Sequence, residues 1–309
     1  MPPSEDASPS AVVNIPSQVP EAIHTALARL GRVVAPPPTE ALYAPLGECE
    51  PYAGMQVQRD VAYGLDARHL LDIFNPDNGQ ASRPVLVFVH GGAFMRGDRR
   101  SGNSPFNDNI AVWAARQGYV GINMTYRLAP AHGWPAAQHD IRAALAWLRS
   151  NAHTLGVDAR RIVLMGHSAG AAHVAQYLAF SQFHESADAK VGAGVAGAVL
   201  LSGIFDPSTA EVNPPLQAYF GTDAAQYAAR SAIPGLVATQ VPMLLAYAEL
   251  DPPDFCAQSQ QLHAALCHAA KPQSLYQLMG HSHMSELFAI NTADMSLSLL
   301  LGHFMAQAV

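Results

Sequence analysis

Residues 162–178 read Ile162-Val163-Leu164-Met165-Gly166-His167-Ser168-Ala169-Gly170-Ala171-Ala172-His173-Val174-Ala175-Gln176-Tyr177-Leu178. Four apolar residues, a glycine-bounded turn and a stretch that reads as helix imply strand, tight turn, helix. A G-x-S-x-G turn at such a junction lifts its serine off the end of a sheet strand. Ser168 Oγ is thereby pushed toward solvent and a base. The start of the following helix offers unpaired N–H groups and a positive dipole end to developing negative charge. The pattern fixes only three positions, so a glycine-rich turn with a solvated serine is the competing reading. The case for chemistry therefore rests on partners elsewhere in the chain.

Outward from this turn, the runs Val85-Leu86-Val87-Phe88-Val89, 198–201 and 243–247 are apolar throughout, and 119–124 is apolar but for Asn123. Such runs suit strands buried on both faces. Helical spacing lies between them, clearest over residues 136–152, where Ile141, Ala144, Leu145 and Leu148 share one face. The alternation implies an α/β fold: a mostly parallel central sheet flanked by helices on right-handed crossovers. Residues 56–63 and 69–74 read as two strands joined at Gly64-Leu65-Asp66. Ile23, Ala26, Leu27 and Leu30 give Glu21–Leu30 a helical spacing, and Pro36-Pro37-Pro38 is expected to stop any helix. Residues 1–20, rich in Pro, Ser and charge, are expected to form a loose arm. The stretch 205–240, with Pro207, Pro214, Pro215 and Pro234, breaks the rhythm. A lid and a plain surface connection are equal alternatives there.

Composition bounds the function. Half of the 309 residues are hydrophobic and 13% are charged, which fits a folded enzyme and argues against disorder. The formal net charge of −7 comes without a basic cluster, so no nucleic-acid partner is expected. No apolar run is long enough to span a membrane, and Met1-Pro2-Pro3-Ser4-Glu5-Asp6 is too polar and acidic for a secretory signal. Cys49, Cys256 and Cys267 are an odd number without metal spacing, which argues against a disulfide framework. Together these features favour a cytoplasmic protein. The scattered histidines form no defensible metal set.

Two further segments supply the missing chemistry. After the strand at 85–89 comes His90-Gly91-Gly92-Ala93-Phe94-Met95-Arg96-Gly97-Asp98. Two glycines let the backbone approach a ligand and turn N–H groups inward. The expected oxyanion donors are the N–H groups of Gly92 and Ala93, with Gly91 competing, joined by Ala169 behind the serine. His90 reads as a loop-holding hydrogen bonder and His167 as packed beneath the turn. The strand at 243–247 leads to Glu249, Asp251 and Asp254. Asp251 stands at the loop apex and is the preferred acid, while Asp254 reads as the cap of the next helix. Near the C-terminus, Gly280-His281-Ser282-His283 offers two histidines. His283 is preferred as the base over His281 because the glycine turn carries it toward Ser168. The order Ser168, Asp251, His283 is the chain order of an acyl-transfer triad.

On these residues the chain resembles the α/β-hydrolase esterases of the hormone-sensitive-lipase-like group, and more closely their carboxylesterase and kynurenine-formamidase-like relatives. The motifs that carry the likeness are Tyr63-Gly64 with Leu71-Asp72-Ile73-Phe74, then His90 to Phe94 with Gly97-Asp98. Tyr126-Arg127-Leu128-Ala129-Pro130 follows, with Pro135-Ala136-Ala137 and Asp140, then Gly166 to Gly170, Asp251 and His283. They span residues 63–283 in family order. Ala93 replaces a third glycine and His167 replaces an acidic residue, and both His167 and the segment around Asp251 lean toward the formamidase-like branch. The resemblance implies a catalytic domain over 56–309 and an N-terminal arm and cap segment over 1–55, with 206–240 as a second lid segment. It implies hydrolysis of a small-molecule carboxylic ester, or alternatively an activated amide, through an acyl-enzyme and without a cofactor. The apolar cap residues Leu42, Tyr43, Met55, Leu216, Tyr219 and Phe220 suggest a hydrophobic substrate, unless they belong to the core. Oligomeric state is open, a homodimer included.

Overall fold

A computed structural model describes residues 11–184, 193–271 and 273–309. The chain opens with β1 (Val12–Ile15), α1 (Glu21–Leu30) and α2 (Pro36–Tyr43), followed by β2 (Met55–Ala62), β3 (Leu70–Pro76) and β4 (Arg83–Val89). It continues through α3 (Asp108–Arg116), β5 (Val120–Met124), α4 (Ala136–Ser150), α5 (Ala152–Leu155) and β6 (Val157–His167). Then come α6 (Ala169–Ala179), β7 (Gly197–Leu201), α7 (Pro214–Phe220), α8 (Ile233–Ala238), β8 (Met243–Leu250) and α9 (Pro253–His268). β9 (Leu275–Ser282), α10 (Ser285–Phe288) and α11 (Ser296–Ala308) end it.

The strands form one sheet in the order β1-β9-β8-β7-β6-β4-β5-β3-β2. Among the described residues β2–β3 and β3–β5 pair antiparallel and the other pairings are parallel. The apolar strands serve two cores at once because successive side chains point to opposite faces. Val85, Val87 and Val89 face one core with Ile162, Leu164, Ala198 and Leu200. Leu86 and Phe88 face the other with Val163, Met165, Val199 and Leu201. On the first face, α4 contributes Ile141, Leu145 and Leu148, and α6 and α9 add Val174, Leu178, Leu262 and Leu266. On the second, α1, α3 and α11 contribute Leu27, Ile110, Trp113, Leu301 and Met305. Each such buried side chain contributes ~1.5–3 kcal/mol, so a charge at Val87 would unmake the centre of the sheet.

Two expectations need correction. Pro36-Pro37-Pro38 starts a helix rather than stopping one, since proline is tolerated in a first turn, where N–H groups have no intrahelical partner. The region 1–20 is not simply an arm: Val12–Ile15 adds a parallel edge strand to β9, its four residues finding the ladder that the rim of the sheet leaves open. The part of that expectation on residues 1–10 lies outside the described residues.

β4, β6, β8 and β9 all run toward the same edge of the sheet. Their C-terminal ends deliver His90, Ser168, Asp251 and His283 to it. In open α/β sheets the crevice outside the strand C-termini is where ligands bind.

Candidate active site

Ser168 occupies the turn between β6 and α6 with φ +57 and ψ −122, a left-handed conformation that a non-glycine residue adopts only at a cost. The turn needs glycine beside it. A Cβ on Gly170 would overlap the Val89 carbonyl oxygen, so only glycine lets α6 start against β4. Ala169 heads α6, where its N–H lacks an intrahelical acceptor.

The loop after β4 faces this turn. Gly92 (φ +130), Ala93 (φ +51) and Phe94 (φ +63) all have positive φ, and the Gly92 carbonyl accepts Met95 N–H at 3.2 Å and Arg96 N–H at 3.0 Å. Among the described residues, no backbone or side-chain acceptor takes the N–H of Gly91, Gly92 or Ala93. The loop is pinned from behind. Tyr126 Oη donates to the His90 carbonyl at 2.8 Å, His90 Nδ1 lies 2.6 Å from the Gly91 carbonyl oxygen, and Ala129 N–H donates to the Phe94 carbonyl at 3.0 Å. Arg68 Nη2 donates to the Gly97 carbonyl at 2.9 Å, and the Phe94 ring stacks on Tyr219 at 4.7 Å. Burial pushes the His90 imidazole down to about 3, which keeps it neutral in its loop-holding position.

At the other side of the turn, His283 Nδ1 lies 2.6 Å from Asp251 Oδ1, and both side chains are fully buried. Asp251 Oδ2 accepts Ala248 N–H at 2.9 Å and the Ser202 hydroxyl at 2.6 Å. Its carbonyl oxygen accepts Arg32 Nε at 2.8 Å, and Arg32 Nη2 reaches Cys256 Sγ at 3.1 Å. His283 Nε2 is buried and has no hydrogen-bond partner among the described residues. It therefore remains unbonded beside Ser168, which lines the same cavity. Unliganded sites commonly tighten this contact only when a substrate arrives.

His167 borders the cavity, but its Nε2 is committed and cannot serve as the base. Its Nε2 donates to the His283 carbonyl at 2.7 Å, and burial lowers its imidazole to about 4. The turn residue thus holds the loop that carries His283. His281 turns away, with Nδ1 3.2 Å from Ser285 Oγ and Nε2 3.2 Å from Asp294 Oδ2. Glu249 accepts the Gly280 N–H at 2.7 Å, fixing the turn at φ +76 that precedes His281. Asp254 is not the cap of α9: it lies inside the first turn, Pro252 holds the cap position, and its carboxylate accepts Glu211 N–H at 3.1 Å.

A cavity of about 720 Å³ opens over the serine turn, within the range of small-molecule sites. Gly91, Gly92, Ala93, Ala169, His167, Ser168 and His283 form its floor. Val34 and Pro36 approach from the N-terminal segment, and Ile204, Pro215 and Leu216 from the stretch after β7. Of the cap residues expected to bind substrate, only Leu216 borders the cavity, while Tyr43, Tyr219 and Phe220 pack into the cores. Sequence reasoning missed Ser202, Arg32 and Glu286. Glu286 carries a visible signal, a single charge inside the apolar run Met284 to Ile290.

The chain is similar to several known proteins. The BD-FAE family model matches residues 71–266, more than half of the chain. Esterase LipQ of Mycobacterium tuberculosis is 30% identical over 244 residues, covering 72% of this chain and 56% of that protein. Esterase LipC of the same organism is 38% identical over 114 residues, 37% of this chain and 27% of that one. The chain thus spans about half or less of these curated relatives. The solved structure of a bacterial heroin esterase superposes with a TM-score of 0.66 at 25% identity, covering 93% of this chain and 95% of that one. Among the described residues no helix is long and apolar enough to cross a membrane. The chain belongs to the BD-FAE family and has the α/β-hydrolase fold.

Proposed function

We propose that this protein is a serine hydrolase that cleaves a carboxylic ester of a small, apolar substrate through an acyl-enzyme. The observation that carries the reading is the 2.6 Å Asp251–His283 contact, whose free Nε2 stands beside the cavity floor formed by Ser168 and the glycine loop. Ser168 Oγ attacks the acyl carbonyl while His283 Nε2 takes its proton. Asp251 fixes the Nδ1–H tautomer and stabilises the imidazolium. The N–H groups of Gly92, Ala93 and Ala169, with Gly91 adjacent, bind the oxyanion. His283 then protonates the leaving alcohol, and a water activated by the same imidazole releases the acid. The esterase names of LipQ and LipC support the class of bond.

The apolar walls from Val34, Phe106, Ile204, Leu216, Phe255 and Leu287 favour a hydrophobic acyl or alkoxy group. The N-terminal segment before residue 56 and the stretch 206–240 act as the cap, since both contribute walls to the cavity. Residence in a reducing compartment such as the cytoplasm fits three unpaired cysteines. The test is a substrate panel. Short and medium p-nitrophenyl esters should turn over with kcat/KM well above that of N-formyl arylamines. The reverse preference would replace the ester reading with the amidase one.

A further inference from the structure

Behind the catalytic acid the structure places a second, fully buried carboxyl. Glu286 Oε1 lies 2.6 Å from Ser202 Oγ, and the same Oγ lies 2.6 Å from Asp251 Oδ2. A serine hydroxyl carries one hydrogen, so it can donate to only one of these oxygens. The second short contact requires a hydrogen on a carboxyl. Asp251 already has two committed donors, His283 Nδ1–H and Ala248 N–H, and is the better anion. Among the described residues Glu286 has none: its Oε2 is buried without a partner. The remaining neighbour of Oε1, His167 Nε2 at 3.4 Å, directs its hydrogen to the His283 carbonyl at 2.7 Å. An ionised carboxylate left so poorly solvated would be costly.

We propose that Glu286 is a positioning residue: held as a neutral carboxylic acid, it donates its proton to Ser202 Oγ, which turns the Ser202 hydrogen onto Asp251 Oδ2 and keeps Asp251 ionised and aimed at His283. Burial, reinforced by the negative charge of Asp251, drives the Glu286 carboxyl well above the ordinary range. The other titratable groups facing this pocket are His167 at the end of β6, His281 and His283 at the end of β9, and Cys256 on α9. Ser202 is held for the task at φ +47 directly after β7, its N–H donating to the Ala246 carbonyl. The relay rests on the triad reading, but the state of Glu286 can be read without turnover.

The direct test is infrared difference spectroscopy at neutral pH. The carbonyl stretch of a protonated carboxylic acid should appear in the wild-type protein, persist in Ser168→Ala and vanish in Glu286→Gln. If no such band is present, or if it survives Glu286→Gln, the proposal fails, whatever the esterase assay reports. Conversely, an inactive wild-type enzyme that shows the band would sink the triad reading and leave the state of Glu286 standing. Should Glu286→Gln not fold, the carboxyl carbons of ¹³C-labelled glutamate in the wild-type protein decide the matter. One must stay protonated through neutral pH, and ordinary titration of all of them overturns the proposal. Kinetics supply the positional readout. The acid limb of kcat/KM should keep its wild-type pH in Glu286→Gln, whereas removing an anion would shift it to lower pH. Ser202→Ala and Glu286→Leu should each lower kcat about tenfold or more, with Gln retaining more activity than Leu because its amide still donates to Ser202.

Discussion

Asp251 holds His283 through a 2.6 Å contact between Oδ1 and Nδ1, with both side chains shut off from solvent. In that setting a carboxylate selects the imidazole tautomer whose Nε2 is free to take a proton. Asp251→Asn keeps the shape and loses the charge. The expected outcome is a fall in kcat of about 10⁴-fold, with circular dichroism and melting temperature near wild type. An Asp251→Asn variant with kcat close to that of the wild type would assign the acid role elsewhere.

The glycine loop makes a different prediction. Gly92 stands at φ +130, and a Cβ there would overlap the Arg96 carbonyl oxygen. Gly92→Ala should displace the N–H groups beside Ser168 and lower kcat by about 10²-fold or more. KM should change less, because the oxyanion forms only after binding. Steady-state kinetics on one ester separates the two terms.

Three fully buried imidazoles contribute to the pH dependence of stability in acid. Burial lowers His90 to about 3, His167 to about 4 and His173 to about 3, all from an ordinary value of 6.5. Below 6.5 the unfolded chain takes up protons that the folded chain refuses, so stability falls as pH drops from there toward 4 and then 3. Each histidine contributes a slope of up to about 1.4 kcal/mol per pH unit in that window. His173 is a clean reporter, since neither ring nitrogen has a partner among the described residues and Phe94, Tyr126 and Tyr219 surround it. Thermal melts of His173→Phe between pH 4 and 6.5 should show a shallower dependence than wild type.

Arg32 ties the N-terminal segment to the acid loop through the Asp251 carbonyl and Cys256 Sγ. Arg32→Ala should lower stability by roughly 1–3 kcal/mol and reduce kcat several-fold. Loss of stability with unchanged kcat would confine the tether to folding.

Much of this architecture was legible in the sequence because it rests on local patterns. The apolar run, turn and helix around Ser168 declare themselves within 17 residues, and the glycine pair at 91–92 follows its strand directly. Asp251 and His283 could be ranked because each follows a strand that must end at the same edge as Ser168. The prolines at 36–38 misled, since the same residue that breaks a helix interior begins one. Val12–Ile15 was illegible because its partner β9 lies more than 250 residues away and a four-residue edge strand has little periodicity. Ser202 and Glu286 show the same limit. Nothing local marks them as neighbours of Asp251, and only the parallel alignment of β7, β8 and β9 brings them together.

The measurement that tests the central claim most directly is intact and peptide mass spectrometry after reaction with a fluorophosphonate. The account predicts one adduct per chain, on Ser168, with ester turnover lost in step with labelling, and no adduct on Ser168→Ala or on enzyme whose site is filled by an ester substrate. Ester turnover that survives full modification of Ser168, or a label that settles on another residue while activity is lost, would contradict it.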